Sequence, residues 1–402
     1  MTRKTEVLCI YLTGLFQGLA LVTVPAASLV FIDPAKFNFS SSEYGSLFIP
    51  QVVTSIIASL LSPSFARKWG MKSVYRAGLI FNIMSMALIA ASQLAAGDHH
   101  AAYLLVILGT ALVGAGFGST LPIINVYATS FFPKNSASAL TVLHTLLGVG
   151  TAMAPLLVAF LVKAGWWLLP VFVVAALLII LAGAFILPLG DERRAVDTRS
   201  PQAAPGVFLP VRVRLFMLIV FLYGYCETFF ANWAIIFLNK EKAVDLQDAG
   251  YTLAAFWLAV SLGRIMVAVL SVWVSPRWVY RSLPVLITVS LAAVTRASSP
   301  MTGILAFALA GFSCSAFFPL TFSLGQQGFE PIAERVSGWI MAAYMLGYGM
   351  AAYGIGKIVE LTHASLGIWY LRSIVVALGV VILSFILTQN RVEYKKYGAS
   401  QG

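Results

Sequence analysis

Long apolar stretches separated by short polar segments repeat along the chain. Each stretch has the length of about 20 residues that an α-helix needs to cross the hydrocarbon core of a membrane. Predicted helices 1 to 12 cover approximately residues 6–32, 44–65, 77–96, 102–129, 136–162, 166–188, 215–238, 249–274, 281–296, 301–327, 336–360 and 366–389. The pattern predicts an all-α membrane protein with twelve transmembrane helices, and an even number places both termini on the same side.

One connection differs from the others. Residues 190–214 are charged and rich in proline and lack helical periodicity, whereas the other connections are short. We therefore predict a six-helix N-terminal bundle over residues 1–189, a cytoplasmic linker over residues 190–214 and a six-helix C-terminal bundle over residues 215–402.

The two halves share the spacings of small residues and prolines that repeats would produce. Taken alone, a glycine in an apolar helix indicates close helix packing, so the matched spacing is the informative part. The matched sets are Gly114 and Pro122 with Gly311 and Pro319, and Gly148 and Gly150 with Gly347 and Gly349. They predict two pseudo-repeats.

The amino-acid composition also indicates that the chain is surrounded by membrane lipid and not by water. Of the 402 residues, 60% are apolar and 10% are charged, and the mean hydropathy is +0.89. A water-soluble domain of this composition would aggregate. The first apolar stretch has the length of a span and is not followed by a small-residue cleavage site, so we expect a retained helix and not a removed signal peptide.

The net charge of +11 reflects membrane topology. If the N-terminus is cytoplasmic, most of the 26 Lys and Arg residues fall in segments on that side, above all in residues 67–76 and 193–214. The basic residues on the opposite side are Lys36, Lys163, Lys240, Lys242 and Arg296. This asymmetry predicts that both termini are cytoplasmic, and it argues against a nucleic-acid partner.

Ionisable groups inside a span are costly and therefore functional candidates. Glu227 lies near the middle of predicted helix 7, one turn after Tyr223 and shortly before Asn232 and Trp233. A carboxyl group buried among aromatic side chains can bind and release a proton in the working pH range. Two interpretations are open: Glu227 acts in proton or substrate coupling, or it forms a fixed ion pair with an arginine of predicted helix 8.

That arginine is Arg264, on the cytoplasmic side of predicted helix 8. It has three possible roles: binding an anionic group of a substrate, pairing with Glu227, or holding a helix at the cytoplasmic gate. His144 is the only histidine inside a predicted span, in helix 5, where it either relays protons or forms a structural hydrogen bond.

Uncharged polar and aromatic residues at depth complete the predicted site. Gln17, Gln51 and Asn125 lie in predicted helices 1, 2 and 4. Helices 1, 4 and 10 contain Pro25, Pro122 and Pro319, and proline frees carbonyl groups where a wet cavity can satisfy them. Aromatic faces for a ring-shaped solute are offered by Trp233, Trp257, Tyr344 and Tyr348.

Several function classes are not supported. The sequence contains no phosphate-binding loop of the type GxxxxGK[ST], and it shows no cysteine or histidine spacing typical of a metal or redox site. We expect no cofactor, no metal and no enzymatic activity. Transport, if it is the function, must then be driven by a gradient.

The loop between predicted helices 2 and 3 reads PSFARKWGMK over residues 63–72. It resembles the major facilitator superfamily motif GxxxD[RK]xGR[RK], although Pro63 replaces the first glycine, Arg67 the aspartate and Met71 a basic residue. The matching residues are Lys68, Gly70 and Lys72. The resemblance implies the major facilitator fold, in which Arg67 needs a partner other than the usual gating carboxylate.

Four further fragments resemble the fucose/glucose permease group of that superfamily. They are LHTLLGVGTAMAP (143–155), FLYGYCETFFANW (221–233), FWLAVSLGR (256–264) and GFSCSAFFPLTFSLG (311–325). This resemblance implies an alternating-access carrier, a proton-coupled symporter of a small polar solute. Fucose-type symporters use acids in helices 1 and 4, where this chain has Gln17 and Asn125, so coupling would fall to Glu227 or His144.

Three hypotheses follow. The first is an importer of a small polar organic solute. The second is a proton antiporter that exports a drug-like or amphipathic metabolite, which the absence of the antiporter GP motif near Pro155 disfavours. The third is a non-transporting membrane sensor or accessory protein. We expect a monomer in the bacterial inner membrane, surrounded by lipid.

Overall fold

The computed structural model describes residues 3–190, 210–270, 273–327, 329 and 333–389. All regular elements within these ranges are helical, and we group them into α1 to α12. The first six are α1 (Arg3–Ala26, continued by Ser28–Ile32), α2 (Ser41–Ser46 and Phe48–Trp69), α3 (Met71–Ala91), α4 (His99–Phe131), α5 (Ser136–Leu161) and α6 (Leu168–Ile186).

The second six follow the segment that contains the predicted linker. They are α7 (Val211–Lys242), α8 (Leu246–Leu270), α9 (Pro276–Arg296), α10 (Pro300–Cys314 and Phe317–Gln326), α11 (Ala333–Gly349, the π-helical turn Met350–Gly354, and Ile355–Thr362) and α12 (Leu366–Arg372 and Ile374–Gln389). Within the described residues, eleven helices are long and apolar enough to cross a membrane, and α11 supplies the twelfth predicted helix.

The predicted spans therefore correspond one to one with helices of the structure. The boundary of the linker differs: α7 begins at Val211, directly after the N-cap Pro210, so residues 211–214 are helical. A proline at the N-cap loses no helical hydrogen bond, which explains why α7 can begin there. Residues 191–209, the rest of the predicted linker, lie outside the described residues.

The matched glycines make the same close approach in both halves. A methyl group on Gly114 of α4 would overlap the carbonyl oxygen of Gln51 in α2, and one on Gly311 of α10 would overlap that of Phe256 in α8. Only glycine lets two helix backbones come this near. The helix pairs α2–α4 and α8–α10 are thus built alike, as repeats require.

A second pair of glycines repeats the relation between α1–α5 and α7–α11. Gly150 of α5 leaves no space for a side chain against the carbonyl oxygen of Leu15, and Gly347 of α11 leaves none against that of Phe221. In contrast, Gly349 meets no neighbouring atom of the described residues within 4 Å. Of the glycines matched by sequence, Gly150 and Gly347 are therefore the structural equivalents.

The two bundles also meet each other at one end. We call the end where α1 finishes, at Ile32, the distal end, and the end of the chain's N-terminus the proximal end. At the distal end, Gly45 of α2 packs on the backbone of Ala352, and Gly356 of α11 packs on the backbone of Ser41. These small residues close the interface between the bundles on that side.

Basic side chains organise the proximal end of the N-terminal bundle. Arg3 donates to the carbonyl oxygens of Ser130 and Phe131 at the end of α4, at 3.1 and 2.9 Å. Arg76 donates to the carbonyl oxygen of Ala184 in α6 at 3.1 Å. Cations at helix C-termini satisfy unpaired carbonyl groups and complement the helix dipole.

Candidate functional site

A cluster of tyrosine, carboxyl and arginine side chains lies inside the C-terminal bundle. The Glu227 side chain is only 6% exposed, and the Tyr344 hydroxyl of α11 donates a hydrogen bond of 2.7 Å to its Oε2 atom. One turn earlier on α7, the Tyr223 hydroxyl donates to the carbonyl oxygen of Cys314 at 2.8 Å. The cluster therefore joins α7, α10 and α11.

The carbonyl of Cys314 is available because α10 is interrupted after this residue. Pro319 has no N–H group, and its ring clashes with the carbonyl of the residue four positions earlier, which is Ser315. Arg264 of α8 takes up the freed oxygen: its Nε atom donates to Ser315 at 3.1 Å. The break in α10 is thus held by a tyrosine and an arginine from neighbouring helices.

Glu227 and Arg264 do not form an ion pair in the part of the chain that the structure describes. The guanidinium group is nevertheless close enough to act electrostatically on Glu227 and on His144 of α5. Arg264 therefore lies between an acid of the C-terminal bundle and a histidine of the N-terminal bundle.

His144 and Trp257 lie on the two helices that cross the interface, α5 and α8. The helices meet where Gly148 faces Ser261, which leaves no room for a side chain on the glycine. His144 is one turn before Gly148 and is half-buried. The Nε1 atom of Trp257 is buried and has no hydrogen-bond partner among the described residues.

Asn232 and Trp233 lie at the distal closure. The backbone carbonyl of Asn232 accepts a hydrogen bond of 3.0 Å from the Tyr44 hydroxyl of α2, and its Nδ2 atom donates to the Tyr348 hydroxyl at 3.4 Å. Trp233 donates to the carbonyl oxygen of Ala351 at 3.1 Å and is fully buried. The Tyr44 bond joins the two bundles, whereas the other two hold α7 against α11 within the C-terminal bundle.

Gln17 lies inside the N-terminal bundle and is 1% exposed. Its amide exchanges two hydrogen bonds with Asn82 of α3, at 2.8 and 3.2 Å, and it accepts a third of 2.8 Å from Thr120 of α4. These three bonds hold α1, α3 and α4 together. None of these three hydrogen bonds reaches the cluster around Glu227.

The remaining predicted residues have different surroundings. Gln51 is buried in α2 beside Gly114, and Asn125 in α4 has an Oδ1 atom that is buried without a hydrogen-bond partner in the described chain. Arg67 is exposed and donates to the Ser64 hydroxyl at 3.1 Å.

The proximal loop between α2 and α3 explains why part of the family motif is present. Gly70 ends α2 and precedes α3 with a φ of 87°, a conformation that favours glycine. Lys72 donates to the carbonyl oxygen of Leu187 at 2.6 Å. Lys72 and Arg76 anchor this loop to the end of α6, whereas Arg67 does not reach it.

Sequence reasoning missed several partners. The sequence predicts Tyr344 as an aromatic face and carries no signal for its hydrogen bond to Glu227. Asn82 and Thr120 were overlooked, although a polar residue in an otherwise apolar helix is a usable signal. Ser315 was recognisable in principle, because it precedes Pro319 by four residues. No metal-ligand group of three occurs within the described ranges.

Two curated proteins are similar to the chain over part of its length. The Saccharomyces cerevisiae protein "Bypass of stop codon protein 6" is 24% identical over 257 residues, which cover 57% of this chain and 50% of that protein. The Bacillus subtilis protein "Uncharacterized MFS-type transporter YfkL" is 26% identical over 241 residues, which cover 58% and 60%. The chain thus matches only half to three fifths of the length of these relatives.

Solved structures match over nearly the whole chain. The bacterial homolog of the human lysosomal transporter Spinster, described as inward-facing and occupied, has a TM-score of 0.74 with 15% identity, covering 96% of both chains. The D-xylose-proton symporter has a TM-score of 0.72 with 14% identity, covering 98% and 99%. The transporter FucP in the outward conformation has a TM-score of 0.61 with 16% identity, covering 97% and 99%.

These similarities show a shared fold, and a family model identifies the lineage. The model of the Major Facilitator Superfamily matches residues 7–352, which include α1 to α10 and most of α11. With eleven helices among the described residues that are long and apolar enough to cross a membrane, the protein is an integral membrane protein of the transporter type and belongs to the Major Facilitator Superfamily.

Proposed function

We propose that the protein is a secondary active transporter that moves a small polar organic solute by alternating access, with protons as the coupling ion. The observation that carries this proposal is Glu227: a carboxyl group buried at the middle of α7, hydrogen-bonded to Tyr344 and without an ion-pair partner among the described residues. Burial disfavours the charged form of a carboxyl group that no cation neutralises, so such a group binds a proton more readily.

The state of the interface supports alternating access. The bundles are joined at the distal end by Tyr44, Trp233 and the glycine contacts of α2 and α11. If the termini are cytoplasmic, as the charge asymmetry predicts, the closed end faces outward and the protein faces inward.

The comparisons support a polar solute. FucP is described as a fucose:proton symporter and the other neighbour as a D-xylose-proton symporter. We extend solute:proton symport to this chain and assign the coupling role to Glu227, with His144 as the second titratable group beside Arg264. Localisation in a bacterial inner membrane and a monomeric state are parts of the same proposal.

The test is uptake into proteoliposomes with and without an inward proton gradient, using a panel of sugars, nucleosides, amino acids and organic acids. We compare wild type with Glu227→Gln and with Asp248→Asn, a control carboxyl group at the start of α8. We expect gradient-driven accumulation in wild type and in the control, and its loss in Glu227→Gln. Equal accumulation in all three proteins would remove Glu227 from the coupling mechanism.

An exporter of amphipathic compounds is the second candidate. It is favoured by the aromatic character of the interior around Glu227, where Tyr223, Phe318 and Tyr344 lie within ring-contact distance of one another. Export predicts that inside-out vesicles accumulate a lipophilic cation when their lumen is acidified, whereas the symport proposal predicts no accumulation.

A further inference from the structure

One face of α8 is directed at the interface between the bundles. Trp257, Ser261 and Arg264 are spaced by four and three residues, so they lie on the same side of the helix. Ser261 packs against Gly148 of α5, which fixes the direction of this face toward the N-terminal bundle. A solute bound between the bundles would meet Trp257 and Arg264.

Both side chains carry donors that no acceptor uses. Arg264 donates through Nε to Ser315, but its two terminal nitrogens make no hydrogen bond and no ion pair within the described part of the chain. The indole nitrogen of Trp257 can only donate, and it is buried without an acceptor. The buried indole N–H is costly without an acceptor, and the half-buried Arg264 keeps its terminal nitrogens accessible, so a ligand with acceptor oxygens would serve both groups.

The nearby acid does not supply these oxygens. Glu227 accepts from Tyr344 and is not within ion-pair distance of Arg264, although the guanidinium charge acts on it. The guanidinium group keeps its charge under all physiological conditions. A second potential donor, His144, faces the same charge from α5. Around Arg264, hydrogen-bond donors therefore outnumber free acceptors, and a positive charge has no ion-pair partner among the described residues.

We propose that the transported solute is a small organic anion, whose carboxylate binds the terminal nitrogens of Arg264 and whose further oxygen accepts from the Trp257 indole. A planar guanidinium matches a carboxylate with two parallel hydrogen bonds. Because the two residues are seven positions apart, about 10 Å along the helix axis, the solute is a hydroxylated carboxylate of several carbons. This inference rests on the transport function proposed above.

A consequence concerns charge. One monocarboxylate that crosses together with one proton carries no net charge, so its uptake depends on the pH gradient and not on the membrane potential. A neutral solute that crosses with one proton carries a positive charge, and an inside-negative potential would drive its uptake. Potassium gradients with valinomycin impose such a potential on proteoliposomes without changing pH.

Binding is tested first, by the shift in thermal unfolding of the purified full-length protein with matched pairs of probes: gluconate against glucose, and lactate against lactamide. We expect stabilisation by the acids alone. Arg264→Gln should weaken acid binding about 10- to 100-fold, the range for a hydrogen bond to a charged group. Arg264→Lys keeps the charge and serves if the glutamine variant does not fold, with a smaller loss expected.

The matched control is Arg296→Gln, an exposed arginine at the end of α9, which should bind the acids like wild type. Trp257→Phe keeps the aromatic ring and removes the donor, so it should weaken gluconate more than lactate. Equal stabilisation by acids and neutral probes, or unchanged acid binding in Arg264→Gln, would overturn the anion assignment.

Uptake separates this inference from the proposed function. If neutral solutes are taken up in a proton-driven, potential-sensitive way and organic acids are not, the anionic substrate is rejected and the transport function is retained. Acid binding that depends on Arg264, without uptake under any gradient, would keep the site and reject transport. The expected result is uptake of acids that follows the pH gradient and ignores the potential.

Discussion

The two bundles are the same scaffold with different chemistry. Gly150 meets Leu15 between α5 and α1 as Gly347 meets Phe221 between α11 and α7. Counting forward from these contacts, Leu21 of α1 takes the position of Glu227 in α7. The hydrogen-bonded acid of one half is therefore an aliphatic residue in the other.

Other equivalent positions show the same contrast. Gly18 packs on the backbone of Leu147 as Gly224 packs on that of Tyr344, so Leu147 and Tyr344 correspond. Likewise, the equivalence of Gly114 and Gly311 aligns Ser59 of α2 with Arg264. Glu227, Tyr344 and Arg264 thus all stand in the C-terminal half alone.

The polar groups of the N-terminal half are used differently. Gln17, Asn82 and Thr120 are neutral and satisfy one another inside the bundle. Pro122 and Pro319 occupy equivalent positions, but α4 continues through its proline while α10 is interrupted. The difference teaches that repetition fixes the packing of the helices, while Glu227, its partner Tyr344 and Arg264 belong to the C-terminal repeat alone.

The largest effect is expected where the halves are equal. Gly114→Val and Gly311→Val each force a side chain into a neighbouring backbone, which should cost at least about 3 kcal/mol, since overpacking costs typically 1–3 kcal/mol where side chains can adjust. We expect a similar loss of folded protein in both, measured by size-exclusion chromatography after extraction. Gly349→Val, which meets open space, is the control. A loss confined to one half would break the structural equivalence.

The next effect is expected where the halves differ. Glu227→Leu gives α7 the residue of α1, and it leaves the buried Tyr344 hydroxyl without its acceptor, at a cost of about 1–3 kcal/mol. Adding Tyr344→Phe removes that hydroxyl and should restore most of the stability. Both variants should lack gradient-driven uptake. Thermal unfolding and uptake are measured on the same variants. Gradient-driven uptake retained by the double variant would show that Glu227 is not the coupling group.

The fold was predictable from the sequence because its signals are strong. Twelve apolar stretches of membrane-spanning length predict twelve helices, and matched glycines and prolines such as Gly114 and Gly311 predict two repeats. The ends of helices were less predictable. Pro210 permits α7 to begin before the apolar stretch does, which composition alone does not reveal.

The site was predictable in part. Glu227 and Arg264 stand out because charge in a span is costly, but their partners depend on the break in α10 and on which helices touch. Gln17 appeared equivalent to a cavity residue by depth alone, whereas its partner Asn82 lies in α3 and holds it inside the bundle. The position of a residue along the helix axis can be predicted from the sequence. The neighbouring helix that its side chain faces cannot, when the helix is buried on all sides.

A smaller effect is expected for the neutral cluster. Gln17→Leu leaves the Asn82 amide without its partner, while Thr120 keeps its second acceptor, the carbonyl oxygen of Gly116. The cost should be about 1–3 kcal/mol in thermal unfolding, with uptake at wild-type levels. Asn82→Leu added to Gln17→Leu should recover part of the loss as a double-mutant cycle. A loss of coupling would place the N-terminal cluster in the mechanism as well.

The smallest effect is expected at the distal closure, where the halves touch. The Glu360 carboxylate of α11 accepts a hydrogen bond of 3.2 Å from the backbone N–H of Ser42 in α2, at the surface. Glu360→Gln keeps the shape and removes the charge, so it should shift the population slightly toward distal opening without changing the fold. Spin labels at Lys36 and Lys240, which line one distal recess, report the change as a longer distance component. An unchanged distance distribution would show that the glycine contacts of α2 and α11 suffice to hold the two bundles together.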